Sequence, residues 1–367
     1  MREPGRGGRH GVAEPGSGAA KRVDERPGRT AGHADEFWLS IFGTAGHNAH
    51  DDGGDMAQNE TWPQLAVDSW TDTRETLHMW LQIVGKIQEV STPLINHWWN
   101  VTYEVSARGL RSRLMHSGDR GFDAEFDFVD HQLVLRSAQG GTRSVALEPR
   151  TVADFYAATL SALEALDLNC VIVASPNEVA PAVPFAQDTV HKSYDAQAVT
   201  TYWRQLLAMN TVFEQWRGGF AGKDSPVQLF WGSMDLSCVR YSGRVAPAWD
   251  GTPPPSCPAW VMVEAESREN ASAGFWAGGS DEGSFYAYCY PAPDGYAKGT
   301  VTVGHFDESM GEWILPYADV RTSADPAQTL LTFLNETYAL GADLGHWDRA
   351  SLEVDPHRLD TEIYRSR

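Results

Sequence analysis

The segment FDAEFDFVDHQLVL, residues 122–135, decides the fold class. Its first half alternates, with Phe122, Ala124, Phe126 and Phe128 on one side and Asp123, Glu125 and Asp127 on the other. A period of two belongs to a half-buried strand, because successive side chains point to opposite faces. Asp130-His131 marks a turn and a second strand starts beyond it, so the segment reads as a β-hairpin. Three carboxylates roughly 7 Å apart on one strand face read as its solvated side, with a hard-cation site as the alternative.

Working outward, the pattern changes to a helical one on both flanks. From Asp72 to Val90 the spacing of Leu77, Trp80, Leu81, Val84 and Ile87 predicts a helix, with Asp72 and Glu75 as a capping pair and Thr92-Pro93 as its end. Val101, Tyr103 and Val105 predict a strand, which takes in the preceding His97, Trp98 and Trp99. After the hairpin, Thr151 caps a second helix and CVIVAS (170–175) reads as a short buried strand. A proline-rich connector, Pro176 to Pro184, leads to a long helix capped by Asp195 and carrying Tyr202, Leu206, Met209, Phe213 and Trp216. VQLFWGSMDLSCVRYSG (227–243), WVMVEAE (260–266), SFYAYCY (284–290) and EWILPY (312–317) predict further strands. Asp325-Pro326 opens a last helix, with proline at its favoured first position.

These elements predict an α+β protein of antiparallel sheets with packed helices. The order helix, strands, helix occurs twice, and aligning Thr92-Pro93 with Ser225-Pro226 sets Trp98 against Trp231. The expected organisation is an internal pseudo-repeat with one half at 56–180, a second at 181–350 and a polar tail at 351–367. Residues 1–55 are rich in Gly, Arg, Ala, His and Asp and are expected to be disordered, with Met56 as the expected natural start.

The formal charge of −20 argues against nucleic acid and against anionic membranes as partners. No apolar run has the roughly 20 residues a membrane span needs. The four cysteines show no C-x-x-C spacing, and Cys170, Cys238 and Cys289 lie in apolar contexts. This points to a reducing compartment, with neither a disulfide framework nor a zinc site. No cofactor is expected, and the oligomeric state is left open.

Candidate site residues cluster around aromatic rings. On a strand, His97 and Trp99 face one way and Trp98 the other, so one ring packs while Trp99 binds, with Asn96 beside it. His191 stands close to Asp188 and Tyr194 ahead of the long helix, and a carboxylate next to an imidazole makes an acid–base pair. Phe275-Trp276 sits at the tip of a glycine-framed hairpin. His97 and His191 are the candidate acid–base groups, Trp99 and Trp276 the platforms, Asp235 a polar anchor and Arg108 the partner of an anionic group. Packing, a plain hairpin and helix capping are the simpler readings of these motifs.

ETLHMWLQIVGKIQ (75–88), NHWWNVTYEVSARGL (96–110), FDAEFDFVDHQLVLR (122–136), EPRTVADFY (148–156), DTVHKSYD (188–195), PVQLFWGSMDL (226–236), SAGFWAGG (272–279) and FYAYCYP (285–291) together resemble a bacterial domain-of-unknown-function family, number 5996. The resemblance spans about Trp62 to Trp347 and implies one long domain unit and a cytoplasmic protein. It implies no activity, cofactor or catalytic residue. The functional expectation is a small-molecule binding protein or enzyme with an aromatic- and His-lined cleft between the halves. The alternative is a non-catalytic interaction or self-association module that uses exposed tryptophans.

Overall fold

The computed structural model describes residues 61–279 and 281–355. The expectations for residues 1–55, and for most of the tail, lie outside the described residues. Among them the fold is α+β, with seven α-helices and two antiparallel sheets.

Helix α1 (Val67–Ser91) starts earlier than Asp72, from Ala66, which makes no side-chain cap. Asp72 and Glu75 therefore lie inside the helix rather than at its start. Leu77, Trp80, Leu81, Val84 and Ile87 are all buried, as their spacing requires. After Pro93 the chain does not enter a strand. Asn96–Trp98 form a 3₁₀ turn, with His97 (φ 58°) and Trp98 (φ 52°) in left-handed backbone. The expected strand-face alternation of His97, Trp98 and Trp99 is thereby lost.

The first sheet holds β1 (Glu104–Ser106), β2 (Gly109–Arg111), β3 (Met115–Ser117), β4 (Arg120–Asp127), β5 (Gln132–Ser137) and β6 (Thr142–Ala146). Its order is β1-β2-β4-β5-β6, with β3 also paired to β4. The deciding hairpin is β4–β5, in register from Phe122 opposite Ser137 to Asp127 opposite Gln132. Its charged side is drier than expected, because Glu125 and Asp127 are buried. Arg136 bonds Asp123 (3.1 Å) and Glu125 (2.6 Å), and Arg108 bonds Asp127 (2.5 Å) and Asp130 (2.6 Å). Ion pairs occupy the carboxylates considered as a cation site.

Helix α2 (Val152–Glu164) begins where Thr151 accepts a hydrogen bond from the Asp154 amide. It presses Phe155 onto Trp80 (4.5 Å between ring centres) and Phe126 (6.4 Å), forming the core of the first half. Burying a side chain such as Phe155 contributes about 1.5–3 kcal/mol. CVIVAS is not a buried strand. It pairs with nothing regular and leaves Val171 and Val173 82% and 71% exposed.

Helix α3 (Ala196–Gly218) is capped by Asp195, which accepts from the amides of Gln197 and Ala198. The second sheet follows with β7 (Gln228–Phe230), β8 (Asp235–Val245), β9 (Arg268–Trp276), β10 (Ser284–Tyr290), β11 (His305–Asp307) and β12 (Glu312–Pro316). Its order is β11-β12-β10-β9-β8-β7. Residues 227–243 are thus not one strand. They turn through Trp231–Met234 between β7 and β8. WVMVEAE is helical: α4 (Ala259–Ala265) starts after Pro258 and buries Val261 and Ala265 one turn apart. Helices α5 (Tyr317–Arg321), α6 (Pro326–Leu344) and α7 (Arg349–Leu352) close the chain. Residues 351–355, expected to begin a polar tail, are docked: Ala221 donates to Leu352 O (2.6 Å) and Val354 to Gly219 O (3.0 Å).

The sheets meet edge to edge where Tyr103 and Leu229 exchange two backbone hydrogen bonds (2.9 and 2.8 Å). The Tyr103 hydroxyl donates to Leu81 O of α1 (2.7 Å). Beside this seam Trp98 and Trp231 stack at 6.3 Å and 29°. Gly85 of α1 is needed here, because a Cβ would stand 2.5 Å from the Trp231 ring. Among the described residues no helix is long and apolar enough to cross a membrane.

Candidate functional site

Where α1 crosses the β7–β8 turn, a cleft of about 270 Å³ opens. Helix α1 lines it with Arg74, Glu75 and His78, Arg74 and His78 standing four residues apart on one edge of the helix. The proline connector contributes Glu178, the turn Gly232, Ser233 and Met234, and the end of β9 Trp276. Pro254 and Pro255 complete the wall.

His78 is fixed through Nε2, which lies 2.9 Å from both Trp231 O and Gly232 O. The Gln82 side-chain nitrogen lies 3.0 Å from the same Nε2, so three polar groups converge on that edge of the ring. Burial lowers the pKa of His78 to about 4, against the two carbonyl contacts, and keeps the imidazole neutral. Behind it Gln82 is clamped by Asn177, donating to Asn177 O (2.9 Å) and accepting from Asn177 N (2.8 Å). Buried Lys86 donates to the Asn177 side chain and lies 5.4 Å from the Trp231 ring. This buried polar row fixes the base of the Glu178 loop.

Glu178 adopts left-handed backbone (φ 60°), and its amide donates to Pro255 O (2.6 Å). Its carboxyl lies over Gly232, where any Cβ would collide with it. Met234, also lining the cleft, has φ 60°. Neither Glu nor Met favours this region, and each such residue stores about 1–3 kcal/mol that the surrounding structure must offset. Burial, with Asp235 as a like-charged neighbour, raises Glu178 to about 7. The carboxyl therefore exchanges its proton near neutrality.

Asp235 lies under the turn and accepts hydrogen bonds from Ser233 Oγ (2.5 Å) and Tyr286 Oη (2.5 Å). Burial pushes its pKa up while the two hydroxyls oppose the shift. His191 reaches the cleft only through Glu75. Its Nδ1 is 2.6 Å from Asp188 and its Nε2 3.9 Å from Glu75.

The structure thus places Trp276 in the cleft wall, Asp235 behind it through Ser233, and His191 at its margin. It does not bring in the other expected residues. His97 stacks on Phe230 (5.2 Å) and Trp99 leans on Tyr241 (6.1 Å), neither lining the cleft, and Asn96 is exposed. Asn100 serves the local turn, accepting from Ile95 N and donating to Thr92 Oγ1. Arg108 is committed to Asp127 and Asp130, so the cation at the cleft is Arg74. Arg74, His78 and Glu178 were missed by sequence reasoning. The available signals were a polar Arg-Glu-x-x-His edge on a buried helix and an acid framed by Pro176 and Pro181.

No curated protein and no solved structure matches the chain. A model of a family of unknown function (DUF5996) matches residues 62–354, and the chain belongs to that family.

Proposed function

We propose that the protein binds a small molecule in the α1/β7–β8 cleft and exchanges a proton with it through Glu178. The observation that carries this reading is Glu178 itself, a carboxyl held in strained backbone against the cleft wall beside a neutral imidazole. Strained, half-buried and titrating near neutrality, it has the properties of a general acid–base group. His78 supplies a neutral imidazole, Trp276, 41% exposed, a platform, and Ser233 a hydroxyl anchored by Asp235. The helix–sheet–helix order in each half supports two related halves, 56–180 and 181–350, with the cleft between them. A cytoplasmic location belongs to the same proposal and is supported by four free thiols.

Native mass spectrometry of gently purified protein tests the reading. A co-purifying small molecule, lost from Glu178→Gln and from Trp276→Ala, is expected. A ligand retained by both variants would overturn the assignment to this cleft.

A second reading is favoured by Leu94, Ile95, Trp260 and Val263, which are exposed near the contact of Trp260 with Trp98 (5.6 Å). Here the protein self-associates through these side chains. Sedimentation of wild type and Trp260→Ser tests it, and a monomer in both would exclude it.

A further inference from the structure

Arg74 and Glu178 line the same cleft yet do not pair. Among the described residues Arg74 makes one hydrogen bond, from Nη1 to Ala277 O (3.2 Å), and no ion pair. Among the same residues, the Glu178 carboxyl has no hydrogen-bond donor. Each has its own anchor. The Ala277 carbonyl anchors the guanidinium at the end of β9, while the left-handed backbone and the Pro255 contact hold the carboxyl over Gly232. Trp276, Pro254 and Pro255 give the same cleft an apolar lining. Long charged side chains in one cleft ordinarily swing together, because an ion pair at about 4 Å gains energy in a low-dielectric site. Left unpaired with each other, they offer the cleft one donor fork and one acceptor.

We propose that the cleft takes a small zwitterion, with its carboxylate on Arg74, its ammonium on Glu178 and a short carbon body against Trp276. This rests on the reading of the cleft as a ligand site. A guanidinium fork matches a carboxylate in two parallel hydrogen bonds. A carboxylate beside an indole face suits an ammonium, which both attract. A purely anionic ligand would satisfy Arg74 but oppose Glu75, Glu178 and Asp235. A purely cationic ligand would meet Arg74. Only a molecule carrying both charges completes both ends.

The test uses the full chain labelled with 5-fluorotryptophan, with the Trp276 fluorine signal assigned through Trp276→Phe. The probes are the ω-amino acids from glycine to 5-aminopentanoate, matched against butyrate, butylamine and uncharged 1,4-butanediol. One amino-acid length is expected to shift the Trp276 signal at least tenfold more tightly than butyrate or butylamine. Arg74→Gln should weaken that probe at least tenfold. Glu178→Gln should make it bind no better than butyrate. Arg74→Lys, which keeps the charge but loses the fork, should fall between wild type and Arg74→Gln.

If butyrate, butylamine or the diol shifts Trp276 as tightly as any amino acid, the zwitterion assignment fails while the cleft remains a ligand site. If the amino acids bind but neither variant weakens them, the assignment to Arg74 and Glu178 fails. If no probe moves the signal, the zwitterion proposal fails, and native mass spectrometry decides the ligand-site reading independently.

Discussion

Glu178 and His78 face one cleft with opposite proton preferences. Burial raises Glu178 from its ordinary 4.5 to about 7, so between those values the folded chain holds a proton that the unfolded chain has released. Its contribution to stability is full below the unfolded value and is lost as pH rises through the folded one. His78 runs the other way. Lowered from 6.5 to about 4, it favours folding above the unfolded value and loses that contribution as pH falls. Glu178→Gln removes only the first effect. Relative to wild type, the variant should gain up to about 3 kcal/mol between about pH 4 and about pH 8, measured by urea unfolding at both. An equal difference at both pH values would mean that Glu178 is not buried as described. Such a gain on losing a charged cleft residue is what a functional site produces. At this scale the sequence was least informative. Asp235 and Trp276 stood out through their neighbours in the chain. Arg74, His78 and Glu178 line one cleft only because α1 passes both the proline connector and the β7–β8 turn, and no local pattern encodes that arrangement.

At the scale of elements, boundaries written into local chemistry were legible. Thr151, Asp195 and Asp325-Pro326 each begin a helix where capping residues or proline dictate it. Asp195→Ala should cost about 1 kcal/mol and shorten α3 at its start, read by denaturation and amide exchange. Short apolar runs misled. WVMVEAE carries valines at strand-like spacing, but Pro258 and one-turn burial of Val261 and Ala265 favour a helix. CVIVAS has strand composition and no neighbouring strand to complete its hydrogen bonds. Gly85 gives a sharper test of how α1 shapes the cleft. Alanine there gains about 1 kcal/mol of helix propensity but drives a methyl into Trp231, at a cost of about 1–3 kcal/mol. A net loss of about 1 kcal/mol is expected for Gly85→Ala, with weakened binding in the cleft because Trp231 leads directly into Gly232–Met234. Unfolding and Trp276 fluorine spectra measure the two effects separately.

For the whole molecule, the α+β class and the antiparallel sheets followed from period-two hydrophobicity, as in β4 and β5. Which sheet edges meet did not, because the Tyr103–Leu229 bridge joins segments 126 residues apart in number, as 229 − 103 gives. Since that bridge, the Trp98–Trp231 stack and α1 all tie the two sheets, residues 61–355 should unfold in one calorimetric transition. Two resolved transitions would show that the halves are energetically separate. A charge of −20 repels itself in the compact state, so the melting temperature should rise with added sodium chloride and level off once screening is short-ranged.

The paired indoles of that seam also have an optical consequence. Held 6.3 Å apart with planes at 29°, Trp98 and Trp231 place their transition dipoles close enough to couple as one chiral chromophore. A bisignate exciton band in the far-ultraviolet circular dichroism would then report the closed seam directly. It should vanish when either ring is replaced by phenylalanine, even in a chain that stays folded.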